Sequence, residues 1–177
     1  MQKKPLPPLS FVLGGAASGK STFAEGLVLA DRGPRGYIAT AQVWDAEMEA
    51  KVARHKMMRG ASWHTIEEPL DIKAALTQMT GIEIILVDCA TLWLTNQLMA
   101  KADLKAASLS FVETLGEASQ RIVVVSNEVG QGIVPDNAMS RQFRDAQGYL
   151  NQLLAARADL AVNVIAGLPM VLKGTLP

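Results

Sequence analysis

Short apolar runs alternate along the chain with longer stretches in which apolar residues recur every three or four positions. "LSFVLGG" is an apolar run that feeds a glycine-rich turn, and the pattern after it predicts a helix from about Lys20 to Asp31. "RGPRG" interrupts the pattern, after which "YIAT" reads as a second strand ending at Thr40. Residues 44–57, "WDAEMEAKVARHKM", contain no proline or glycine, and Met48, Val52 and His55 fall on one face of a helix. "SWHTIE" reads as a short strand, Pro69 as the start of a helix through about Met79, and "IEIILVD" as the clearest buried strand, ending on Asp88. From Thr91 to about Ser119 two helices are expected, broken near Asp103, and "RIVVVSNEVG" is a further buried strand running into polar residues and glycine. Residues 138–157 form a long amphipathic helix, with Met139, Phe143, Ala146, Leu150, Leu153 and Leu154 on the expected inner side. "LAVNVIAG" and "MVLKG", around Gly167 and Pro169, predict a closing hairpin at the sheet edge.

Strands alternating with helices imply an α/β layer fold with a largely parallel sheet, whose ligands bind at the carboxyl ends of the strands. At 177 residues the expectation is a single domain over 1–177, with residues 1–8 a ragged N-terminal tail rather than a signal peptide. The 17 basic and 17 acidic residues balance, which excludes a global pull toward nucleic acid or anionic lipid. Cys89 is the only cysteine, so neither an intrachain disulfide nor a cysteine-built metal site can form. With no apolar run long enough for a membrane span, a cytoplasmic protein is expected.

The residues from Gly14 to Ser21 fit G-x-x-x-x-G-K-[ST], a loop that cradles phosphate. Chance produces such a match in a chain of this length with a probability on the order of 1%. Its place between a strand and a helix favours the functional reading over a glycine-rich turn with a surface lysine, because successive N–H groups and the helix N-terminus must converge on the anion. Gly14, Gly15, Ala16, Ala17, Ser18 and Gly19 would supply the backbone cradle, Lys20 would reach the β- and γ-phosphates, and Ser21 would ligate Mg²⁺. The fold is therefore expected to be P-loop NTPase-like, with three layers and a C-terminal edge hairpin. Asp88 suits the acid that holds magnesium at the end of a neighbouring strand, or simply caps the next helix.

His55 sits among Arg54, Lys56 and Arg59 in "ARHKMMRG". Its spacing from Met48 and Val52 allows a histidine tucked beneath the sheet edge; its basic neighbours suit a nucleophile where phosphate charge accumulates. His64 sits in the short strand and reads as structural. Asn127 and Glu128 emerge beside Gly130 and Gly132 at the carboxyl end of a buried strand, so Glu128 either orients an acceptor hydroxyl or takes its proton, as a catalytic residue, or pins its own loop through backbone N–H groups. Trp44, Trp63 and Trp93 read as core or interface packing rather than as ligand platforms.

Together, "GGAASGKS", "YIATAQVWDAEMEAKVARHK", "NEVGQGIVPDNAMSRQFRDAQGYLNQLLAARAD" and "VIAGLPMVLKG" resemble, in order and spacing over nearly the whole chain, the bifunctional adenosylcobinamide kinase / adenosylcobinamide-phosphate guanylyltransferase family of cobalamin biosynthesis. The resemblance implies two steps. A nucleoside triphosphate (ATP or GTP) phosphorylates the aminopropanol hydroxyl of adenosylcobinamide, and GTP then donates GMP to adenosylcobinamide phosphate through a guanylyl-histidine. It implies that His55 carries the GMP, with Arg54 and Arg59 near the transferred phosphate, and that the protein is a homotrimer. The chain departs from the family pattern at Ala17, where arginine is common, and in "KMMRGASW", where an acid and a proline are frequent. The competing expectations are a plain phosphate-loop kinase with a structural His55 and a slowly hydrolysing nucleotide switch.

Overall fold

A computed structural model describes residues 4–42 and 62–177. In chain order the elements are β1 (Leu9–Gly14), α1 (Lys20–Leu29), β2 (Arg35–Ala39), β3 (Trp63–Glu67), α2 (Ile72–Gln78), β4 (Ile84–Asp88), α3 (Ala90–Met99), α4 (Leu104–Gly116), β5 (Arg121–Asn127), α5 (Ala138–Arg157), β6 (Leu160–Ile165) and β7 (Leu168–Lys173). The helix expected over 44–57, with Trp44, Arg54, His55 and Arg59, lies outside the described residues.

Among the described residues the strands form one seven-stranded sheet in the order β3-β2-β4-β5-β1-β6-β7. All neighbours are parallel except β6 and β7, which form the expected antiparallel hairpin at the edge. Side chains alternate across each strand, and the central strands β4 and β5 carry continuous apolar runs, Ile84–Val87 and Ile122–Val125, because both faces are covered. Ile85 and Val87 of β4 and Ile122 and Val124 of β5 join Trp93, Phe111 and Leu150 in one cluster. The intervening Ile84, Leu86, Val123 and Val125 pack with Ala24, Leu27 and Val28 of α1 in another. Three layers result: α1 on one face, the sheet, and α2 to α5 on the other. Leu6 joins the α1-side cluster and the Pro8 carbonyl accepts from Ile122 N–H, so the segment before β1 packs on the core from Leu6 onward.

Capping side chains move several boundaries from their expected places. The Asp71 side chain accepts from Ala74 N–H, so α2 begins at Ile72 rather than at Pro69. Asp103 caps α4 through Lys105 and Ala106 N–H, which explains the break between α3 and α4. Helix α1 stops at Leu29, short of Asp31, whose carboxylate is taken by Arg121. The α5 boundaries match expectation, but its inner face is shorter: Met139 is 57% exposed, and full burial begins only at Gln147. The first turn of α5 therefore stands clear of the core, whereas Phe143, Ala146 and Leu153 pack against it half-buried, as expected.

Trp93 and Phe111 stack at 4.1 Å between ring centroids, and Trp93 Nε1 donates to the Leu70 carbonyl at 2.9 Å, joining α2's leading turn, α3 and α4. Phe111→Ala opens a cavity at this junction and is expected to cost about 3–5 kcal/mol of stability in urea unfolding; a loss under about 1 kcal/mol would show that these helices do not depend on the stack.

Candidate active site

Strand β1 ends at Gly14, and residues 15–19 turn into α1. A loop that offers N–H groups to an anion must dispose of its own carbonyls. Gly14 O accepts from Glu128 N at 3.0 Å, and Gly15 O from Ser18 N at 3.3 Å and from Lys20 Nζ at 3.0 Å. Ser18 O accepts from Gly167 N at 2.8 Å. Ala17 (φ 54°) and Gly19 (φ 92°) adopt the left-handed conformation that a phosphate-cradling turn requires, and glycine reaches it without strain. Side chains cap α2, α4 and α5 through Asp71, Asp103 and Asn137, whereas α1 starts at Gly19 with no side-chain cap. No side chain covers the start of α1, and the helix dipole favours an anion there. Ser18 Oγ is buried with no hydrogen-bond partner among the described residues, in the space that Gly14 leaves by lacking a Cβ.

Asp88 closes β4, which is not the immediate neighbour of β1, since β5 lies between them. It does not cap α3, whose cap is Cys89 through a 3.5 Å bond from Leu92 N–H to Sγ. Its Oδ2 instead accepts from the Tyr37 hydroxyl of β2. Next to it, Thr40 Oγ1 both accepts from Cys89 N–H at 2.8 Å and donates to Cys89 O at 2.7 Å. Asn96 Nδ2 donates to Thr40 O at 2.8 Å and Pro69 O at 3.0 Å. The carboxyl ends of β2 and β4 are thus tied together where the chain leaves the described residues. Burial first, and the Asp88 charge second, push the Cys89 thiol up to about 12, while the Lys20 ammonium pulls it down; Lys20, Asp88 and Cys89 share one electrostatic environment.

Glu128 follows β5, and its carboxylate accepts from Gly130 N–H, the loop-pinning arrangement. Below it lies a buried polar network. Ser126 Oγ donates to Asn151 Oδ1 at 2.7 Å, Gln147 Nε2 donates to both, and Asn151 Nδ2 donates to the Asn127 carbonyl at 3.2 Å. Asn127 N–H donates to Thr91 Oγ1 at 2.8 Å, so α3 and α5 both hold the strand end that in turn holds Gly14 O. Tyr37, Thr40, Asn96, Gln147 and Asn151 hold these strand ends, a role that sequence reasoning missed. For Asn96, Gln147 and Asn151 the available signal is a polar residue at an inward position of the α3 or α5 pattern.

The loop from Gly14 to Ser21, Asp88 and Glu128 all lie at the carboxyl edge of the sheet. His64 is exposed on β3, the outer strand. Among the described residues no group of three or more His, Cys, Asp or Glu side chains is placed to hold a metal. The protein oxygens on offer are the Ser21 hydroxyl and the Asp88 carboxylate, a hard donor set that suits Mg²⁺ arriving with a triphosphate, because that ion keeps waters and phosphate oxygens as its remaining ligands.

A parallel sheet with a glycine-rich loop between β1 and an uncapped, lysine-led α1 defines a phosphate-loop nucleotide-binding protein. A solved Pyrococcus horikoshii OT3 protein shares the fold, with a TM-score of 0.56 at 8% identity over 97% of this chain and 88% of that one. The chain belongs to the cobinamide kinase / cobinamide phosphate guanyltransferase family, whose model matches residues 10–172. It is 45% identical to the bifunctional adenosylcobalamin biosynthesis protein CobP of Pseudomonas aeruginosa, over 92% of this chain and 96% of that one. It is 39% identical to the corresponding CobU protein of Salmonella typhimurium, over 92% and 98%. Among the described residues no helix is long and apolar enough to cross a membrane.

Because its pKa is raised from 9.0 to about 12, Cys89 is expected to resist N-ethylmaleimide in the native protein at pH 8 and to react in urea. The raised value also means that its contribution to stability is complete below the ordinary thiol value and declines as pH rises from 9.0 toward 12. Native labelling as fast as that in urea would contradict the burial.

Proposed function

We propose that the protein phosphorylates the aminopropanol hydroxyl of adenosylcobinamide with a nucleoside triphosphate and then transfers GMP from GTP to the resulting phosphate, giving adenosylcobinamide-GDP and pyrophosphate. Family membership supports the pair of activities. The single structural observation that carries the reading is the phosphate loop, with its carbonyls tied back and the N-terminus of α1 uncapped.

One loop suffices for both steps, because each needs a triphosphate tail held while a different phosphorus reacts. In the first, the acceptor hydroxyl attacks the γ-phosphorus, the bond to the β-bridging oxygen breaks, and the hydroxyl proton leaves to a base. Glu128, at the rim of the crevice, is the proposed base, released from Gly130 N–H. Lys20 neutralises charge on the β- and γ-phosphate oxygens. Mg²⁺ held by Ser21 and Asp88 would supply further charge neutralisation on the triphosphate.

In the second step a neutral His55 ring nitrogen attacks the α-phosphorus of GTP and pyrophosphate leaves. An oxygen of the corrinoid phosphate then attacks the same phosphorus, the P–N bond breaks, and His55 is regenerated. Arg54 and Arg59 stabilise the α-phosphate charge in both passages. The covalent stage lets pyrophosphate depart before the bulky acceptor enters. The loop offers one cation fewer than the family commonly has, since Ala17 stands where arginine is frequent, which places more of the charge neutralisation on Lys20. We extend the reading to a homotrimeric, cytoplasmic enzyme.

Incubation with Mg²⁺ and GTP labelled at the α-phosphate is expected to leave label on the denatured protein, acid-labile and base-stable as a phosphoramidate is, and none on His55→Asn. A blank wild type would reduce the function to a kinase with a structural histidine, and label retained by His55→Asn would move the nucleophile elsewhere.

A further inference from the structure

Strands β6 and β7 are joined by a two-residue turn, Ala166–Gly167, with Ile165 paired to Leu168. Both turn residues have positive φ, 52° and 79°, the signature of a type I′ hairpin turn. In such a turn the two strands close on the flanking pair, and the N–H of the second turn residue is left over. Here it is used: Gly167 N–H donates to Ser18 O at 2.8 Å, in the middle of the phosphate loop.

The approach is close and selective for glycine. A Cβ on Gly19 would lie 3.1 Å from Gly167 Cα, and a Cβ on Gly14 would lie 2.7 Å from the Val164 carbonyl of β6. The two glycines that bracket the loop are therefore also the residues that let β6 and its turn stand directly behind it. In a trans peptide the C=O and the following N–H point in opposite directions. Holding Ser18 O toward the hairpin consequently aims Gly19 N–H the other way, off the hairpin and toward the concave side of the loop.

We propose that Gly167 is a positioning residue for nucleotide binding. The edge hairpin clasps Ser18 O, fixes the Ser18–Gly19 peptide plane, and so presets a phosphate-directed N–H before the triphosphate arrives. The clasp rests on the reading of residues 14–21 as the nucleotide site and adds a role for the main chain of the carboxyl-terminal hairpin. By linkage, whatever the clasp adds to nucleotide affinity, bound nucleotide adds to the stability of the clasp.

The experiment measures binding of Mg²⁺ with α,β-methylene-GTP, whose α-phosphorus has no pyrophosphate to lose, by calorimetry without corrinoid, steady-state kinetics for the nucleotide and the corrinoid, and amide exchange at Gly167, in the wild type, Gly167→Val, Gly167→Ala and Ala166→Asn. Val and Ala at residue 167 oppose its left-handed backbone, whereas Asn at residue 166 favours the turn and keeps the Gly167 N–H. Expected are a nucleotide Kd and KM about tenfold higher for Gly167→Val and a smaller rise for Gly167→Ala. The kcat and the corrinoid KM stay within about twofold of wild type. Affinity is retained in Ala166→Asn, and Gly167 N–H exchange slows when nucleotide is bound. Should Gly167→Val not fold, Gly167→Ala carries the comparison. Wild-type affinity in the folded variants, or exchange at Gly167 indifferent to nucleotide, overturns the clasp. So does a loss of kcat in step with a fall in melting temperature. A wild type that binds no nucleotide overturns instead the assignment of the loop.

Discussion

Backbone N–H groups can be offered to an anion only if the carbonyls of the same peptides are satisfied somewhere else, and the crevice is organised around that constraint. Three carbonyls of the phosphate loop are held by three different parts of the chain: Gly14 O by the end of β5, Gly15 O by the Lys20 ammonium, and Ser18 O by the turn after β6. Strands β5 and β6 flank β1 on either side, so the loop is braced from both neighbours in the sheet. The brace at β5 is itself braced, through Asn127 and the Thr91–Ser126–Gln147–Asn151 network, by helices packed on the face opposite α1. Core packing and ligand geometry are in this way parts of one arrangement: moving α5 would move Asn127, and with it the start of the loop.

A second brace joins β2 to β4. Thr40 and Cys89 exchange a reciprocal pair of hydrogen bonds, Asn96 ties Thr40 to the β3–α2 connection, and Tyr37 holds the Asp88 carboxylate. These groups are polar and buried or nearly so, and such groups are costly unless paired. Their pairing gives the strand ends a unique arrangement from which a charged crevice can be built. Asp88 is thereby presented from a strand one removed from β1 rather than beside it, with the end of β5 carrying Glu128 between the two.

Much of this architecture is legible in the sequence. The continuous apolar runs of β4 and β5 announce strands covered on both faces, and the strand–glycine–lysine–helix order announces the phosphate loop. The start of α2 differs from expectation because a cap decides it: Asp71 outcompetes Pro69, since a carboxylate that takes a free N–H fixes the first turn more firmly than a favourable φ alone. Met139 was misplaced because periodicity records which face a residue occupies, not whether the core extends that far along the helix. The Ser18–Gly167 contact joins residues 149 positions apart through main-chain atoms alone, and no side-chain pattern encodes such a bond. Likewise Gln147 and Asn151 look like ordinary polar residues on an amphipathic helix until α5 is docked against β5.

One nucleotide loop serving two successive transfers is the centre of this account, and removing its cation tests that most directly. Lys20→Ala should be assayed separately for phosphorylation of adenosylcobinamide and for guanylyl transfer to adenosylcobinamide phosphate, with folding checked by thermal unfolding. The account predicts that both rates fall together, by about 100-fold or more, in a protein that still folds. If one transfer proceeds at its wild-type rate while the other is lost, the two triphosphates are held at different places and the single-loop account is wrong.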